Sequence, residues 1–213
     1  MSINNNIDRR GTLIVFEGLD CSGKSTQVNL LAKFFKENSI PFETMSCPQR
    51  DTPVGKLIDS YLIKSTALSD ETIHLLFSAN RWELNSDMLE KMENGVHILM
   101  DRYYYSGIAY SMAKGISKKW CAMPDFGLIA PDITFFLDAP LEISGKRGHY
   151  GNEIYEKKEF QKKVRKAYSE MEAHFNMIDA AKDIFEVQKE IRKIVIETIA
   201  EREYSKIERF DKI

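Results

Sequence analysis

Residues 18–25 read GLDCSGKS and match the pattern G-x-x-x-x-G-K-[ST]. In this pattern the glycines let the backbone curl so that successive N–H groups point at one anion, and the following helix adds its positive end. The lysine reaches the β- and γ-phosphates of a nucleoside triphosphate, and the last hydroxyl ligates Mg²⁺. The motif predicts a phosphate-donor site but leaves the acceptor open. The predicted donor-binding residues are Gly18, Asp20, Cys21, Ser22, Gly23, Lys24, Ser25 and Thr26.

Two arginines suggest a second anion site. Arg50 follows a predicted strand at 42–46, and Arg102 follows another at 96–100. A phosphomonoester is already ionised near pH 7, so it needs charge compensation rather than a general base. A hydroxyl acceptor would want a nearby carboxylate, whereas Gln49 and Arg50 follow the strand at 42–46. This favours a nucleoside monophosphate as acceptor. Asp101 is the acid expected to orient Mg²⁺ together with Ser25.

Strands alternate with helices around these motifs, which predicts an α/β fold with a parallel sheet between helical layers. Ligands of such sheets bind at the carboxyl ends of the strands. The predicted strands are 12–17, 42–46, 96–100, 132–137 and 176–179. The predicted helices are 24–37, 54–62, 70–92, 106–114, a short one ending at 147, 160–175 and 184–200. Residues 124–131 and 148–158 are predicted loops.

The composition is typical of a single globular domain. The chain has 213 residues, 43% of them hydrophobic, with 30 basic and 32 acidic side chains. A near-neutral chain is a poor nucleic-acid binder. Three scattered cysteines argue against a disulfide framework or a structural zinc site, and we see no signal peptide or membrane-spanning run. We expect one domain over 1–213, with a core at 12–200, in the cytoplasm; a nuclear protein would share these features.

Taken together, the motifs resemble the thymidylate kinase family, and its eukaryotic and poxviral members most closely. The matching stretches are FEGLDCSGKSTQ (16–27), PQR (48–50), LLFSANRWE (75–83), DRYYYSGIAY (101–110), GLIAPDITFFLD (127–138) and GNEIYEKKEFQ (151–161). The resemblance implies a three-layer P-loop kinase fold with five central strands and a lid at about 146–158. It also implies transfer of the γ-phosphoryl group of ATP to dTMP, dependence on Mg²⁺ and a homodimer formed through helices.

The resemblance also implies roles at the acceptor's phosphate and sugar. Arg50 and Arg102 match the arginines that hold the acceptor phosphate. Asp20 matches the carboxylate that accepts a hydrogen bond from the deoxyribose 3′-hydroxyl. Tyr110 stands where the family has an aromatic ring that crowds C2′ and disfavours ribonucleotides.

Further matches concern the base and the lid. Phe77 matches the aromatic residue that stacks on thymine, and Arg81 matches the arginine that hydrogen-bonds the base. Ser106 and Gly107 match an edge near the base. Tyr155 matches the lid aromatic over the acceptor.

Two positions depart from the family pattern. Cys21 stands where a basic residue commonly contacts the γ-phosphate, and Ile154 stands where other members carry a lid arginine. Catalytic charge must then come from Lys24, Arg102, Arg147 and Mg²⁺, with Arg147 on the donor side of the lid. Because Cys21 lies before a helix N-terminus, we also consider a depressed thiol pKa.

Two alternative functions stay open at this stage. One is a deoxynucleoside kinase that phosphorylates a 5′-hydroxyl. The other is a non-catalytic nucleotide-binding protein, against which the intact Lys24, Ser25 and Asp101 argue.

Overall fold

The computed structural model describes residues 9–140, 154–171 and 175–212. The strands in these ranges are β1 (Leu13–Glu17), β2 (Phe42–Ser46), β3 (His97–Asp101), β4 (Ile133–Asp138) and β5 (Asn176–Asp179). The α-helices are α1 (Lys24–Glu37), α2 (Pro53–Leu62), α3 (Asp70–Glu93), α4 (Tyr104–Met112), α5 (Lys118–Ala122), α6 (Lys158–Ser169) and α7 (Ile184–Arg202). In this part of the chain no helix is long and apolar enough to cross a membrane.

The five strands form one parallel sheet in the order β2-β3-β1-β4-β5. Strand β1 is central, and its Phe16 pairs with Asp101 of β3 and Phe135 of β4. The carboxyl ends of β1, β2 and β3 therefore lie side by side. The segments that follow these strands, with the phosphate loop, Arg50 and Arg102, meet at one edge. The predicted fold class is confirmed.

Strand β1 supplies both cores because successive side chains of a strand point to opposite faces. Leu13 and Val15 pack in one buried cluster with residues of α3, α4 and α6. Ile14 and Phe16 pack in the other with residues of α1 and α7. A third, smaller cluster joins α2, α3 and Tyr155 beside the acceptor end.

Several helix bounds differ from the prediction. Helix α4 begins at Tyr104 rather than 106, because the side chain of Glu17 caps its first turn. Helix α6 spans Lys158–Ser169 instead of 160–175. Its last residues give way to a turn, and 172–174 lie outside the described residues.

The segment between α4 and β4 is more ordered than predicted. Helix α5 is not among the predicted elements; it has only five residues and is capped by Ser117. A 3-10 turn at Met123–Asp125 begins the predicted loop. The predicted short helix ending at 147 lies almost wholly outside the described residues.

Packing continues past residue 200. The Phe210 ring stacks on Tyr104, with ring centroids 4.1 Å apart. Its backbone exchanges hydrogen bonds with Gly127 and Leu128. The terminal segment thus covers one side of α4, and Tyr104 is a packing residue.

Candidate active site

Two cavities adjoin the phosphate loop. The first, about 340 Å³, lies at the carboxyl ends of β1, β2 and β3, between α3 and α4. The second, about 360 Å³, lies beside the start of α1 and is lined by Gly23, Thr26, Asp183 and Ile184. The loop thus separates two spaces, which is the arrangement that group transfer between two ligands requires.

The phosphate loop has the backbone that its sequence predicts. Gly18 and Gly23 have φ of 141° and 104°, and a Cβ at Gly18 would lie 2.7 Å from the Leu137 carbonyl oxygen. Lys24 is buried, and its Nζ donates to the carbonyl oxygen of Leu19 at 2.7 Å. Burial, reinforced by the charge of Arg102, lowers the pKa of Lys24 to about 8. A nearby polyanion would raise this pKa again, because an opposite charge favours the protonated lysine.

The prediction of a depressed pKa for the Cys21 thiol is wrong. Burial raises the pKa of this thiol, and the negative charges of Asp20 and Glu156 raise it further. The charges of Lys24 and Arg102 act in the opposite direction but are the smaller influences. The sequence shows the helix N-terminus next to Cys21, but not the two carboxylates that the fold brings to it.

Ser25 and Asp101 come together as predicted. The Ser25 hydroxyl donates to Asp101 Oδ2 over 2.5 Å, which joins the start of α1 to the end of β3. A hydroxyl and a carboxylate are hard oxygen ligands that suit Mg²⁺, which takes few protein ligands and keeps waters or phosphate oxygens. The pair therefore fits the predicted metal site.

Arg102 and Asp20 form an ion pair at the centre of the first cavity, each side chain 18% exposed. One terminal nitrogen of Arg102 donates to the Gly18 carbonyl oxygen at 2.9 Å and to Ser106 Oγ at 3.1 Å. The other donates to Asp20. The Asp20 carboxylate also accepts from Tyr110 at 2.8 Å.

Glu17 is absent from the predicted site and sits directly beneath it. This last residue of β1 is fully buried and accepts four hydrogen bonds. Burial raises the pKa of Glu17, and hydrogen bonds from Ser106 and Tyr168 oppose that rise. A charged residue that ends an apolar strand is a signal that sequence reasoning could have used.

The base-reading candidates lie on α3 and α4. Arg81 is 2% exposed and donates to both carboxylate oxygens of the buried Asp125, at 3.0 and 2.7 Å. A Cβ at Gly107 would lie 2.8 Å from the Arg81 guanidinium, so a larger residue there would displace that side chain. Phe77 lines the same cavity. Asp125 was not predicted, because it is one acid in what reads as a loop.

Arg50 lies at the rim of the first cavity. It pairs with Asp59 of α2, both side chains being well exposed. Asn80 of α3 holds the preceding turn, accepting from Gln49 N at 2.7 Å and donating to its carbonyl oxygen at 3.1 Å. Arg50 and Arg102 follow neighbouring strands and line the same cavity.

Aromatic rings close the far side of the cavity. Tyr155 is buried and stacks on Phe160 at 5.2 Å, with Tyr110 edge-on at 5.5 Å. Gln161 of α6, which the sequence did not single out, donates to Asp20 at 2.6 Å and to the Tyr155 carbonyl oxygen at 3.1 Å. Lys114 is a further unpredicted neighbour, 4.8 Å from the Tyr155 ring centroid.

The lid is described only in part. Arg147 and most of residues 146–158 lie outside the described residues, so the predicted donor-side role of Arg147 stays a prediction. Ile154 is described; it packs against the α2 cluster, and its N–H donates to the Leu62 carbonyl oxygen at 3.2 Å.

Comparison with known proteins agrees with this geometry. Residues 16–191 match the family described as thymidylate kinase. The chain is 47% identical to the thymidylate kinase of Arabidopsis thaliana over 90% of this chain and 73% of that protein. It is 41% identical to that of Homo sapiens over 86% and 89%. A solved thymidylate kinase structure from Candida albicans superposes with a TM-score of 0.85 at 37% identity, covering 95% of this chain and 99% of that one.

The chain belongs to the thymidylate kinase family. The matched range contains every residue predicted for the site, from Gly18 to Tyr155. Membership in the thymidylate kinase family also disfavours the two alternatives, a deoxynucleoside kinase and a non-catalytic nucleotide-binding protein.

Proposed function

We propose that this protein transfers the γ-phosphoryl group of ATP to the phosphate of dTMP, giving dTDP and ADP. The observation that carries the proposal is one cavity that joins the phosphate loop, two strand-end arginines and a buried base-side arginine. Membership in the thymidylate kinase family supports the same reaction.

On the donor side, the phosphate loop from Gly18 to Thr26 would hold the ATP phosphates. Lys24 would leave its carbonyl contacts for the β- and γ-phosphates. The second cavity, beside Thr26 and Ile184, has room for the nucleoside part of ATP. Ser25 and Asp101 would hold Mg²⁺, which when bound supplies positive charge next to the phosphates. Arg147 of the lid remains a candidate for additional charge.

On the acceptor side, Arg50 and Arg102 would hold the dTMP phosphate, and Asp20 the 3′-hydroxyl. Phe77, Arg81, Ser106 and Gly107 would surround the thymine. Tyr110 would crowd C2′, and Tyr155 would cover the ligand.

The chemistry follows from these positions. The dTMP phosphate is ionised at pH 7 and attacks without a general base. Its negative charge must be offset before it approaches the γ-phosphate. Arg102 lies between the loop carbonyl of Gly18 and Asp20, so its fork reaches the space where both phosphates would meet. Catalysis then consists of positioning and charge stabilisation away from bulk water.

An ADP-release assay over a panel of nucleoside monophosphates tests the proposal, with thymidine as a hydroxyl acceptor and EDTA to remove Mg²⁺. We expect dTMP to give the highest kcat/KM, thymidine to give no turnover and EDTA to abolish the reaction. Lys24→Met is the matched inactive variant. Turnover of thymidine but not of dTMP would contradict the proposal.

We also propose a homodimer and a reducing compartment. Leu75 and Trp82 lie two turns apart on α3 and are 46% and 40% exposed, and Leu57 of α2 is 52% exposed. These apolar side chains suit a subunit interface. Light scattering of the wild type and of Leu75→Glu tests this. Three scattered cysteines are typical of a protein of the cytoplasm or nucleus, and imaging of a tagged protein would locate it.

A further inference from the structure

Glu17 is buried, and its carboxyl group is bonded to protein groups rather than facing the cavity. One carboxylate oxygen, Oε1, accepts from the backbone N–H groups of Tyr103 at 2.9 Å and Ser106 at 3.1 Å. The other, Oε2, accepts from the hydroxyls of Ser106 at 2.5 Å and Tyr168 at 2.8 Å. Four donors thus converge on two oxygens, a pattern that an ionised carboxylate satisfies.

The first pair of bonds makes Glu17 the cap of α4. Tyr103, at the N-cap position, makes no side-chain cap of its own. The N–H groups at the start of a helix lack partners within it, and a negative charge there is favourable. Glu17 meets both needs from the end of β1, on a different element of the fold.

Glu17 also helps to hold a residue with a strained backbone. Arg102 has φ of 65°, a left-handed conformation that costs a non-glycine residue energy and persists only where its surroundings enforce it. Its N–H donates to the Phe16 carbonyl oxygen at 2.9 Å, and the next N–H, that of Tyr103, donates to Glu17. Phe16 and Glu17, the last two residues of β1, therefore accept hydrogen bonds from the backbone on both sides of the Arg102 Cα.

The second pair of bonds orients the side chain. The Ser106 hydroxyl donates its proton to Glu17, so its oxygen faces Arg102 as an acceptor for the guanidinium at 3.1 Å. Tyr168 donates to the same carboxylate oxygen from α6. Glu17 is thereby linked to Arg102 by two routes, through the backbone and through Ser106.

We infer that Glu17 is a positioning residue that sets the backbone and the guanidinium direction of Arg102 for phosphoryl transfer. The inference rests on the proposed function, in which Arg102 touches both phosphates. A displacement of about 1 Å in such a group can cost on the order of 100-fold in rate. Glu17 itself does not line the cavity, so its effect on the two phosphates would pass through Arg102.

A double-mutant cycle tests the inference. kcat and the dTMP KM are measured for wild type, Glu17→Gln, Arg102→Ala and the double variant. With Arg102 present, we expect Glu17→Gln to lower kcat roughly 10- to 100-fold and to change KM less, because Arg50 and Arg81 remain. With Ala at position 102, we expect Glu17→Gln to change kcat less than about threefold, because coupled residues are not additive.

Asp132→Asn is the matched control for stability. Asp132 is also a carboxylate with little exposure, 9%, that accepts from an arginine and a backbone N–H, but it lies at the opposite end of the sheet. We expect it to lower the melting temperature and leave kcat unchanged. If Glu17→Gln does not fold, Ser106→Ala is measured instead, because it removes the hydroxyl that links Glu17 to Arg102. The loss of kcat in Ser106→Ala should likewise disappear in the Arg102→Ala background.

Two results would overturn the role of Glu17: an equal loss of kcat in both backgrounds, or a wild-type kcat in Glu17→Gln. In either case, dTMP turnover by the wild-type protein would still uphold the proposed function. A wild-type chain without dTMP turnover would overturn both.

Discussion

Arg10 and Asp132 form an ion pair at the amino end of the sheet, and Arg102 and Asp20 form one at its carboxyl end. At the amino end the side chains are 7% and 9% exposed, and Arg10 also donates to the backbone of Gly11 and Ser205. At the carboxyl end both side chains are 18% exposed and face a cavity of about 340 Å³.

The difference lies in what surrounds each pair. Arg10 joins the segment before β1 to the segment after α7, and its guanidinium contacts Gly11, Asp132 and Ser205. Arg102 has a left-handed backbone and an open side, so its contacts are available for exchange with a ligand. The same residue types therefore stabilise the fold at one end and are poised for chemistry at the other.

The largest effect should come from the open pair. We expect Arg102→Ala to lower kcat by about 10³-fold or more, because an arginine at a transferring phosphoryl group contributes on that scale. Steady-state kinetics with dTMP measures it. Arg102→Lys keeps the charge but not the fork and should recover only part of the rate. Near-normal kcat in Arg102→Ala would remove this residue from the mechanism.

The closed pair should affect stability instead. We expect Asp132→Asn to lower the free energy of unfolding by about 3 kcal/mol, since removing one partner leaves a buried charge uncompensated. Urea denaturation measures this, and kcat should stay at the wild-type value. A loss of activity without a loss of stability would break the contrast between the two ends.

A pH effect should also come from the amino end. Burial lowers the pKa of His97 to about 4, and its Nδ1 accepts from Thr12 N at 3.0 Å. The unfolded histidine takes up a proton near pH 6.5 while the folded one does not. Stability should therefore fall by about 3 kcal/mol as the pH drops from 6.5 to 4, and level off below that.

Wild type and His97→Asn, compared by urea denaturation at pH 7 and pH 4.5, isolate this contribution. Asparagine retains an acceptor for Thr12 but does not titrate, so its stability should depend less on pH. Parallel pH profiles would show that His97 has no such role.

The smallest predicted effect concerns sugar selection at the open end. We expect Tyr110→Ala to raise kcat/KM for UMP relative to dTMP about tenfold, because the ring no longer excludes a 2′-hydroxyl; one polar group in a pocket is worth about this much. Tyr110→Phe keeps the ring and loses only the hydroxyl bonded to Asp20, so it should retain the wild-type ratio. An unchanged ratio in Tyr110→Ala would show that the ring does not select the sugar.

Local sequence patterns were sufficient to predict the strands, most helices and the phosphate loop. The geometry of a glycine-rich turn between an apolar run and an amphipathic helix is determined by residues that are adjacent in sequence. The same holds for Arg50 and Arg102, since parallel strands end at one edge of the sheet. Even at Cys21, where the pKa prediction was wrong, the position in the loop was predicted correctly.

Local sequence patterns could not predict the partners of these residues. Glu17 meets Ser106 across 89 positions, Arg81 meets Asp125 across 44, and Asp20 meets Gln161 across 141. The sequence by itself determined where the candidate site lies, because motif spacing and strand order are encoded in short segments. Only the tertiary structure decided which charges are buried together, because burial and hydrogen-bond pairing depend on elements that are distant in sequence and meet when the core packs.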